Sequence, residues 1–162
     1  MKEMIGAAML LCILGVASNA HAQDMKGEVP ELVLHTFNKQ YPHATNAKWE
    51  AEPDGTFEVE FQEAAAGELE AVFQADGRLL YTKKEVAVDA LPEKVRSSVA
   101  KEWPDLGIRE AGRLDMADGS TRWELELKGA KGEVEVILSE DCKVLSKEME
   151  SDDEDSDEED DD

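Results

Sequence analysis

The sequence is poor in cysteine, in aromatic residues and in positive charge. Its 162 residues include two cysteines, and aromatic side chains make up 6% of the chain. Lysine and arginine number 17 against 39 aspartates and glutamates, which gives a formal net charge of −22 at pH 7. A chain this acidic is repelled by phosphate backbones and by anionic lipid. The composition therefore argues against nucleic acid as a partner and against membrane insertion.

The longest apolar run lies near the N-terminus and is too short to span a membrane. It covers residues 4–16, about 13 positions, whereas a spanning helix needs roughly 20. Lys2 precedes the run, and the small-x-small site Ala20-His21-Ala22 follows it. This order is typical of a secretory signal peptide. We therefore expect residues 1–22 to be removed by cleavage near Ala22, and the mature protein to be periplasmic or secreted.

Removal of that segment would leave Cys142 as the one cysteine of the mature chain. A single thiol cannot form an internal disulfide, so stability must come from packing. In an oxidising compartment such a cysteine is either buried and inert or a site of pairing between chains. Cys142 lies next to an apolar strand segment, which favours the inert thiol.

The C-terminal segment has the opposite character. Residues 151–162 consist of ten acidic residues and two serines. Such a segment has no apolar surface to bury and repels itself, so we predict a disordered acidic tail. An EF-hand is excluded because the segment contains no glycine turn. As a polyanion, the segment is expected to bind divalent cations weakly, with the candidate ligands Asp152, Asp153, Glu154, Asp155, Asp157, Glu158, Glu159 and Asp160.

The chain between these two segments contains the same order of motifs twice. Val-Pro-Glu at residues 29–31 and Tyr-Pro at 41–42 are followed, 62 positions later in each case, by Leu-Pro-Glu at 91–93 and Trp-Pro at 103–104. Each half then has an Asp-Gly turn and two runs of alternating polarity. A fixed order at one offset is the signature of a duplicated unit. We predict two tandem units, residues 23–84 and residues 85–150.

Local patterns assign one helix and four strands to each unit. Val29, Val33 and Phe37 recur at helical spacing, as do Leu91, Val95 and Val99. Proline is favoured at the first turn of a helix, and a proline further along the chain prevents the helix from continuing through the residue before it. Strand patterns predict β-structure near residues 47–51, 56–61, 68–73, 78–82, 108–115, 121–127, 133–138 and 143–146. The predicted fold class is α+β, with two tandem units, each one helix packed on a four-stranded antiparallel sheet.

The alternation also predicts a glutamate-rich sheet face. If the apolar pairs face the helices, Glu60 lies opposite Glu70 and Glu126 lies opposite Glu135. Like charges directly opposite are mildly destabilising, so their repetition in both units has two interpretations. One is a solvated face that uses glutamate for solubility, and the other is a surface for a cationic partner or a divalent ion. The predicted partner-binding residues are Glu58, Glu60, Glu70, Glu124, Glu126 and Glu135.

The sequence lacks the residue sets that are typical of catalysis. His35 and His43 have no serine or cysteine nucleophile at a recognisable spacing. Histidine and cysteine spacings typical of a metal site are missing, and so is a glycine-rich phosphate loop. We therefore expect no enzymatic activity and no cofactor.

Several motifs together indicate a family. They are Tyr-Pro-His-Ala at residues 41–44, Lys-Trp-Glu at 48–50, Phe-Glu-Val-Glu-Phe at 57–61 and Ala-Asp-Gly-Arg-Leu-Leu at 75–80. Residues 29–80 thus resemble the PepSY-like domains, also called β-lactamase-inhibitor-protein-like domains. Residues 91–146 resemble a degraded copy, with Asp141-Cys142 in place of the usual Asp-Gly. The resemblance implies a periplasmic or secreted protein whose sheet surface binds other proteins, with inhibition of a hydrolase as the namesake activity.

Two functions are consistent with these observations. The first is an exported, non-catalytic binding module of the inhibitor type, which docks a basic partner on the acidic sheet face while the tail speeds association at low salt. The alternative is an envelope protein that binds or buffers cations such as calcium through the acidic tail. The first function depends on the glutamates of the sheet, and the second depends on the tail.

Overall fold

The computed structural model describes residues 29–130 and 132–150, with the backbone alone at residue 150. The predicted signal peptide and the predicted acidic tail lie outside these residues. The elements in chain order are α1 (Glu31–Gln40), β1 (Thr45–Ala51), β2 (Thr56–Glu63), β3 (Gly67–Gln74), β4 (Leu79–Glu85), α2 (Glu93–Glu102), β5 (Gly107–Met116), β6 (Thr121–Gly129), β7 (Gly132–Ser139) and β8 (Val144–Glu150). Each lies within a few residues of its predicted position.

Both helices begin after a proline and end two residues before another. Pro30 and Pro92 precede the first helical residues, where a missing N–H has no helical partner to lose. Each helix has a glutamate in its first turn and a lysine in its last turn, which complements the helix dipole. Neither helix of the described chain combines the length and the hydrophobicity that crossing a membrane requires.

The arrangement of the strands differs from the prediction. The eight strands form one sheet in the order β1 to β8, with hydrogen bonds between neighbours, so the prediction of two tandem units with separate four-stranded sheets is wrong. The described chain is mainly antiparallel sheet, with two helices. Two separate sheets would expose four edges of unpaired backbone groups, whereas one sheet exposes two. Edge and interior strands have the same alternating pattern, and the sequence therefore could not distinguish these arrangements.

Contacts divide the described chain into two compact units. Unit 1 consists of the residues up to Glu85 together with Arg113–Arg122. Unit 2 consists of Val86–Gly112 together with the residues from Trp123 onward. Strands β5 and β6 therefore each contribute residues to both units.

The core of unit 1 lies between α1 and one face of the sheet. Val33 and Phe37 from the helix meet alternate residues of β2 and β3, and the buried cluster is completed by Val29, Val59, Phe61, Ala71 and Phe73. The Phe37 ring packs edge-on against Phe61, with 5.1 Å between ring centroids. Burying each large apolar side chain contributes about 1.5–3 kcal/mol.

The core of unit 2 has the same construction. Val95 and Val99 of α2 pack on alternate residues of β6 and β7, and the cluster also contains Leu91, Ala111, Trp123, Leu125, Leu127, Val134, Val136 and Leu138. Cys142 is half-buried and packs against this cluster. Its φ of 60° places it in the left-handed region, at the turn position that glycine occupies in unit 1.

Three Asp-Gly turns share one hydrogen-bonding scheme. The Oδ1 atoms of Asp54, Asp76 and Asp118 each accept a hydrogen bond from the backbone N–H two residues later. Each following glycine has φ near 85°, which only glycine adopts without a Cβ penalty. Gly77 has a second constraint, since an added Cβ would lie 2.7 Å from the carbonyl oxygen of Leu32 in α1.

Candidate functional site

A row of four charged residues crosses unit 1 on the sheet face directed away from α1. Glu60 of β2 lies opposite Glu70 of β3, as the sequence predicted. Glu60 also lies opposite Lys48 of β1, and Glu70 lies opposite Lys83 of β4. The like-charged pair therefore has a lysine on each side, which offsets the repulsion between the two carboxylates.

The two ion pairs of this row differ in burial. The Lys48 and Glu60 side chains are 77% and 52% exposed, with 3.7 Å between Nζ and Oε2. The Lys83 and Glu70 side chains are 10% and 15% exposed at the same separation. An exposed pair of this kind contributes little free energy, because water and salt screen it. A partly buried pair is more strongly coupled, because removing one member leaves the other charge poorly solvated.

Glu58 lies on the same face, and its ionisation is strongly perturbed. Burial raises the pKa of Glu58 to about 8, and the charge and hydrogen bond of Glu70 add to this, while Lys83 opposes it. Its Oε2 atom is buried and accepts no hydrogen bond from the described residues. Glu58 is therefore mostly protonated at neutral pH, so that it shares a hydrogen bond with Glu70 rather than repelling it.

This face of unit 1 is less solvated than the alternating pattern of the strands predicts. Val72 and Tyr81 lie opposite each other on it, and they are only 1% and 8% exposed. A cavity of about 160 Å³ in unit 1 is lined by Glu60, Glu68, Leu69, Glu70, Lys83 and Glu85. The face thus combines a sheltered centre with a rim of exposed carboxylates, rather than a uniformly wet acidic surface.

Unit 2 carries a network of ion pairs centred on Arg109 of β5. Its Nη1 atom donates to Glu126 Oε1 at 2.7 Å and to Glu133 at 3.2 Å, while Nη2 lies 3.5 Å from Glu110. Lys128 pairs with Glu133 as well. One guanidinium therefore links carboxylates from three strands, as its forked geometry allows.

The pKa values of two carboxyl groups in this network are shifted in opposite directions. Burial raises the pKa of Glu126, with contributions from Glu133 and Glu110, while the Arg109 charge opposes the shift. The hydrogen bond from Lys128 lowers the pKa of Glu133, assisted by Glu126 and Arg109. Glu133 therefore stays ionised, whereas Glu126 is the easier of the two to protonate.

The remaining predicted residues of unit 2 lie on the same side of the sheet. Glu124 and Glu126 alternate with the buried Leu125, and Glu135 alternates with Val134 and Val136. All three glutamates are half-buried. The structure thus brings Glu58, Glu60 and Glu70 together in unit 1, and places Glu124, Glu126 and Glu135 away from the α2 core in unit 2.

The cations that accompany these glutamates were not predicted from the sequence. Lys48, Lys83 and Arg109 lie on β1, β4 and β5, the neighbours of the strands that carry the glutamates. A register for β3 with β4 would have placed Lys83 opposite Glu70. The registers of β1 and β4 each contain a shift, which alternation alone does not reveal.

A metal centre is not evident in the part of the chain that the structure describes. Within residues 29–130 and 132–150, no group of three or more His, Cys, Asp or Glu side chains is arranged to hold a metal ion. The acidic residues 152–160 that were predicted as weak cation ligands lie outside this part. His35 and His43 are both exposed.

Comparisons with known proteins identify the fold. No family model and no curated protein matches the chain. Among solved structures, a DUF2874 family protein from Bacteroides ovatus is similar, with 18% identity, 78% of this chain and 91% of that chain covered, and a TM-score of 0.64. A BLIP-like protein from Bacteroides fragilis has 23% identity, coverage of 76% and 90%, and a TM-score of 0.59. A candidate periplasmic protein from Bacteroides eggerthii has 14% identity, coverage of 75% and 88%, and a TM-score of 0.63. The chain therefore has a BLIP-like fold.

Proposed function

We propose that this chain is an exported, non-catalytic binding module of the inhibitor type, which docks a basic partner protein on the glutamate-bearing face of its sheet. The proposed contact residues are Glu60, Glu70, Glu124, Glu126 and Glu135, together with Glu58, which acts through its hydrogen bond to Glu70 rather than as a charge because its pKa is raised. The observation that carries the proposal is the direct opposition of Glu60 and Glu70. Lys48 and Lys83 offset the repulsion between these two carboxylates in the free protein, and a cation from a partner can take the place of the exposed Lys48 beside Glu60.

The rim of unit 1 is the part of the face most open to exchange of cations. Lys48 is largely exposed and lies 3.7 Å from Glu60, so its pair contributes at most about 1 kcal/mol. A lysine or arginine from a partner can replace Lys48 beside Glu60 at little cost. The adjacent cavity, bordered by Glu68 and Glu85, offers further carboxylates to the same incoming group.

The neighbours in fold support the class of function. The similar structures include a BLIP-like protein and a candidate periplasmic protein. Together with the predicted signal peptide, this supports an exported binding protein. We also propose that the chain is a divergent member of the PepSY-like family, on the motifs at residues 41–80. The net charge of −22 favours a basic partner.

The experiment that tests this proposal compares two charge reversals of equal size. Full-length Glu60→Lys alters the proposed face, and Glu102→Lys alters an exposed position at the end of α2. Immobilised wild type and both variants would be exposed to envelope extract, and captured proteins quantified by mass spectrometry. A basic protein retained by wild type and by Glu102→Lys but lost from Glu60→Lys is the expected result. Equal retention by all three would refute docking on this face.

A further inference from the structure

Strand β8 forms one edge of the sheet in the described chain. It pairs with β7 on one side, and no strand of the described residues lies on its other side. Its counterpart in the first half is β4, which follows the corresponding Asp-Gly turn. Strand β5 pairs with β4 on the side that faces away from β3. Within unit 1, the Leu80 carbonyl of β4 also accepts a hydrogen bond from the N–H of Ala117 at 2.9 Å. The edge that is covered at β4 is therefore open at β8.

Exposed apolar side chains are concentrated on this edge strand. Val144, Leu145 and Met149 account for three of the four large hydrophobic residues that are exposed in the described chain. Met149 lies opposite Val134 and Val144 lies opposite Leu138, both of which belong to the unit 2 core. Two of these apolar side chains thus extend the core to the margin of the sheet, where no element of the described chain covers them.

The charges at the same edge differ from those of unit 1. Glu135 of β7 lies opposite Glu148 of β8, whereas the corresponding Glu70 of β3 lies opposite Lys83 of β4. The row in unit 1 thus ends in a lysine, and the row on β7 and β8 ends in a second, exposed carboxylate. A strand added beside β8 would place one residue directly opposite Glu148, and a cation is favoured at that position.

We propose that the open edge of β8 binds an extended, basic segment of a partner protein as an added β-strand. Backbone hydrogen bonds supply the attachment, as in other cases of strand addition. A lysine or arginine of the segment pairs with Glu148, and an apolar residue next to it covers Met149. The segment therefore has alternating basic and apolar side chains. This inference goes beyond docking on the sheet face, because it uses the backbone of the edge and requires none of the face glutamates.

A second copy of this chain fits the edge less well. Each chain carries a net charge of −22, and ten acidic residues follow β8 in the sequence, so two copies repel each other. Lys147 on the edge strand is also exposed, and edge lysines disfavour pairing between identical edges. A basic segment gains from the acidic groups that oppose self-association. Its apolar residues, rather than its cations, would lie opposite Lys147, which shares a face of β8 with Met149.

A synthetic peptide tests this inference on the full-length protein. The probe is a short peptide of alternating valine and lysine, and its control is the same peptide with every backbone nitrogen methylated. The control keeps the charge and the side chains but loses the N–H groups along both edges. Affinity is measured by titration calorimetry, and the site by hydrogen–deuterium exchange of β8 amides. We expect the unmethylated peptide to bind more tightly and to protect β8 from exchange.

Two protein variants distinguish an ion pair with Glu148 from general electrostatic attraction between the basic peptide and the acidic protein. Glu148→Lys is expected to weaken binding of the unmethylated peptide about fivefold, as loss of a cross-strand charge pair would do. Glu140→Lys makes the same change at an exposed position in the preceding turn and is expected to leave affinity nearly unchanged. Equal binding of both peptides would overturn the inference. Dimers paired through β8 would also overturn it, as would strong protection, in the peptide-free protein, of the β8 amides that do not bond to β7.

Discussion

Glu60 and Glu70 lie directly opposite each other on β2 and β3, and each has a lysine on its other side. The four residues form a row in which two carboxylates lie between Lys48 and Lys83. Both ion pairs have the same separation of 3.7 Å. One lysine is exposed and the other is almost completely buried, so the row gives a matched comparison of the same interaction in two environments.

Removing the buried lysine should destabilise the protein far more than removing the exposed one. Lys83→Met leaves Glu70 partly buried without its ion pair, and we expect a loss of about 3 kcal/mol in the free energy of unfolding. Lys48→Met should cost less than about 1 kcal/mol. Urea denaturation at pH 7 measures both values. The double variant Lys83→Met, Glu70→Gln should recover part of the lost free energy of unfolding. Equal losses in the two single lysine variants would contradict the difference in burial between the two ion pairs.

Glu58 should make stability depend on pH across the neutral range. Because burial raises the pKa of Glu58 from 4.5 to about 8, the folded state holds a proton that the unfolded state has released. Stability from this group is therefore complete below pH 4.5 and is lost as the pH rises towards 8. Glu58→Gln removes the titration, so its stability relative to wild type should increase by about 1–2 kcal/mol between pH 5 and 9, after allowance for partial exposure. If the free energy of unfolding, measured in urea, depends on pH in the same way for both proteins, this prediction is contradicted.

Arg109 should control the ionisation of Glu126. The guanidinium lowers the pKa of Glu126 against the effects of burial and of its acidic neighbours. Replacing it in Arg109→Gln should therefore raise the pKa of Glu126 further, as followed by carbon-13 NMR of the side-chain carboxyl. Arg113→Gln provides a control, since Arg113 pairs with Asp115 instead. An unchanged pKa of Glu126 in Arg109→Gln would show that the network is not formed in solution.

The Asp-Gly turns should differ in their tolerance of a side chain. Gly55, Gly77 and Gly119 have nearly the same positive φ, so alanine costs about 1–2 kcal/mol at each through the backbone alone. At Gly77 the new Cβ would also meet the Leu32 carbonyl at 2.7 Å, and overpacking adds about 1–3 kcal/mol. The melting temperature of Gly77→Ala should therefore be lower than those of Gly55→Ala and Gly119→Ala. Equal losses at the three positions would mean that α1 can move away from the turn.

Much of the local structure could be predicted from the sequence because it depends on short-range patterns. The prolines at positions 30 and 92 fix the helix starts, and alternation in β2 and β3 fixed the opposition of Glu60 and Glu70. The predicted pairing of Glu126 with Glu135 stays a prediction. The number of sheets could not be predicted. The two sets of strands are joined by pairing between β4 and β5, which are distant in sequence, and the alternation of polar and apolar residues does not indicate such pairing.

The charges of the site were predicted only in part. Glutamates were placed on the correct face in β2 and β3, but Lys83 and Arg109 were overlooked because each pairs with a glutamate on the next strand, and this pairing depends on the register between the two strands. The burial of Val72 and Tyr81 on that face was also not foreseen. A residue on the outer side of a strand looks solvated in sequence whether or not another part of the fold shelters it.

Photo-crosslinking in cells that export the protein tests the central proposal most directly. A photoreactive amino acid replaces Gln62, which is exposed on the same face of β2 as Glu60, in one variant and Glu31, at the exposed start of α1, in the other. If the glutamate-bearing face docks a basic partner, illumination should join position 62 to a basic protein and should leave position 31 without that product. Crosslinks from position 31 alone, or the same product from both positions, would contradict the account.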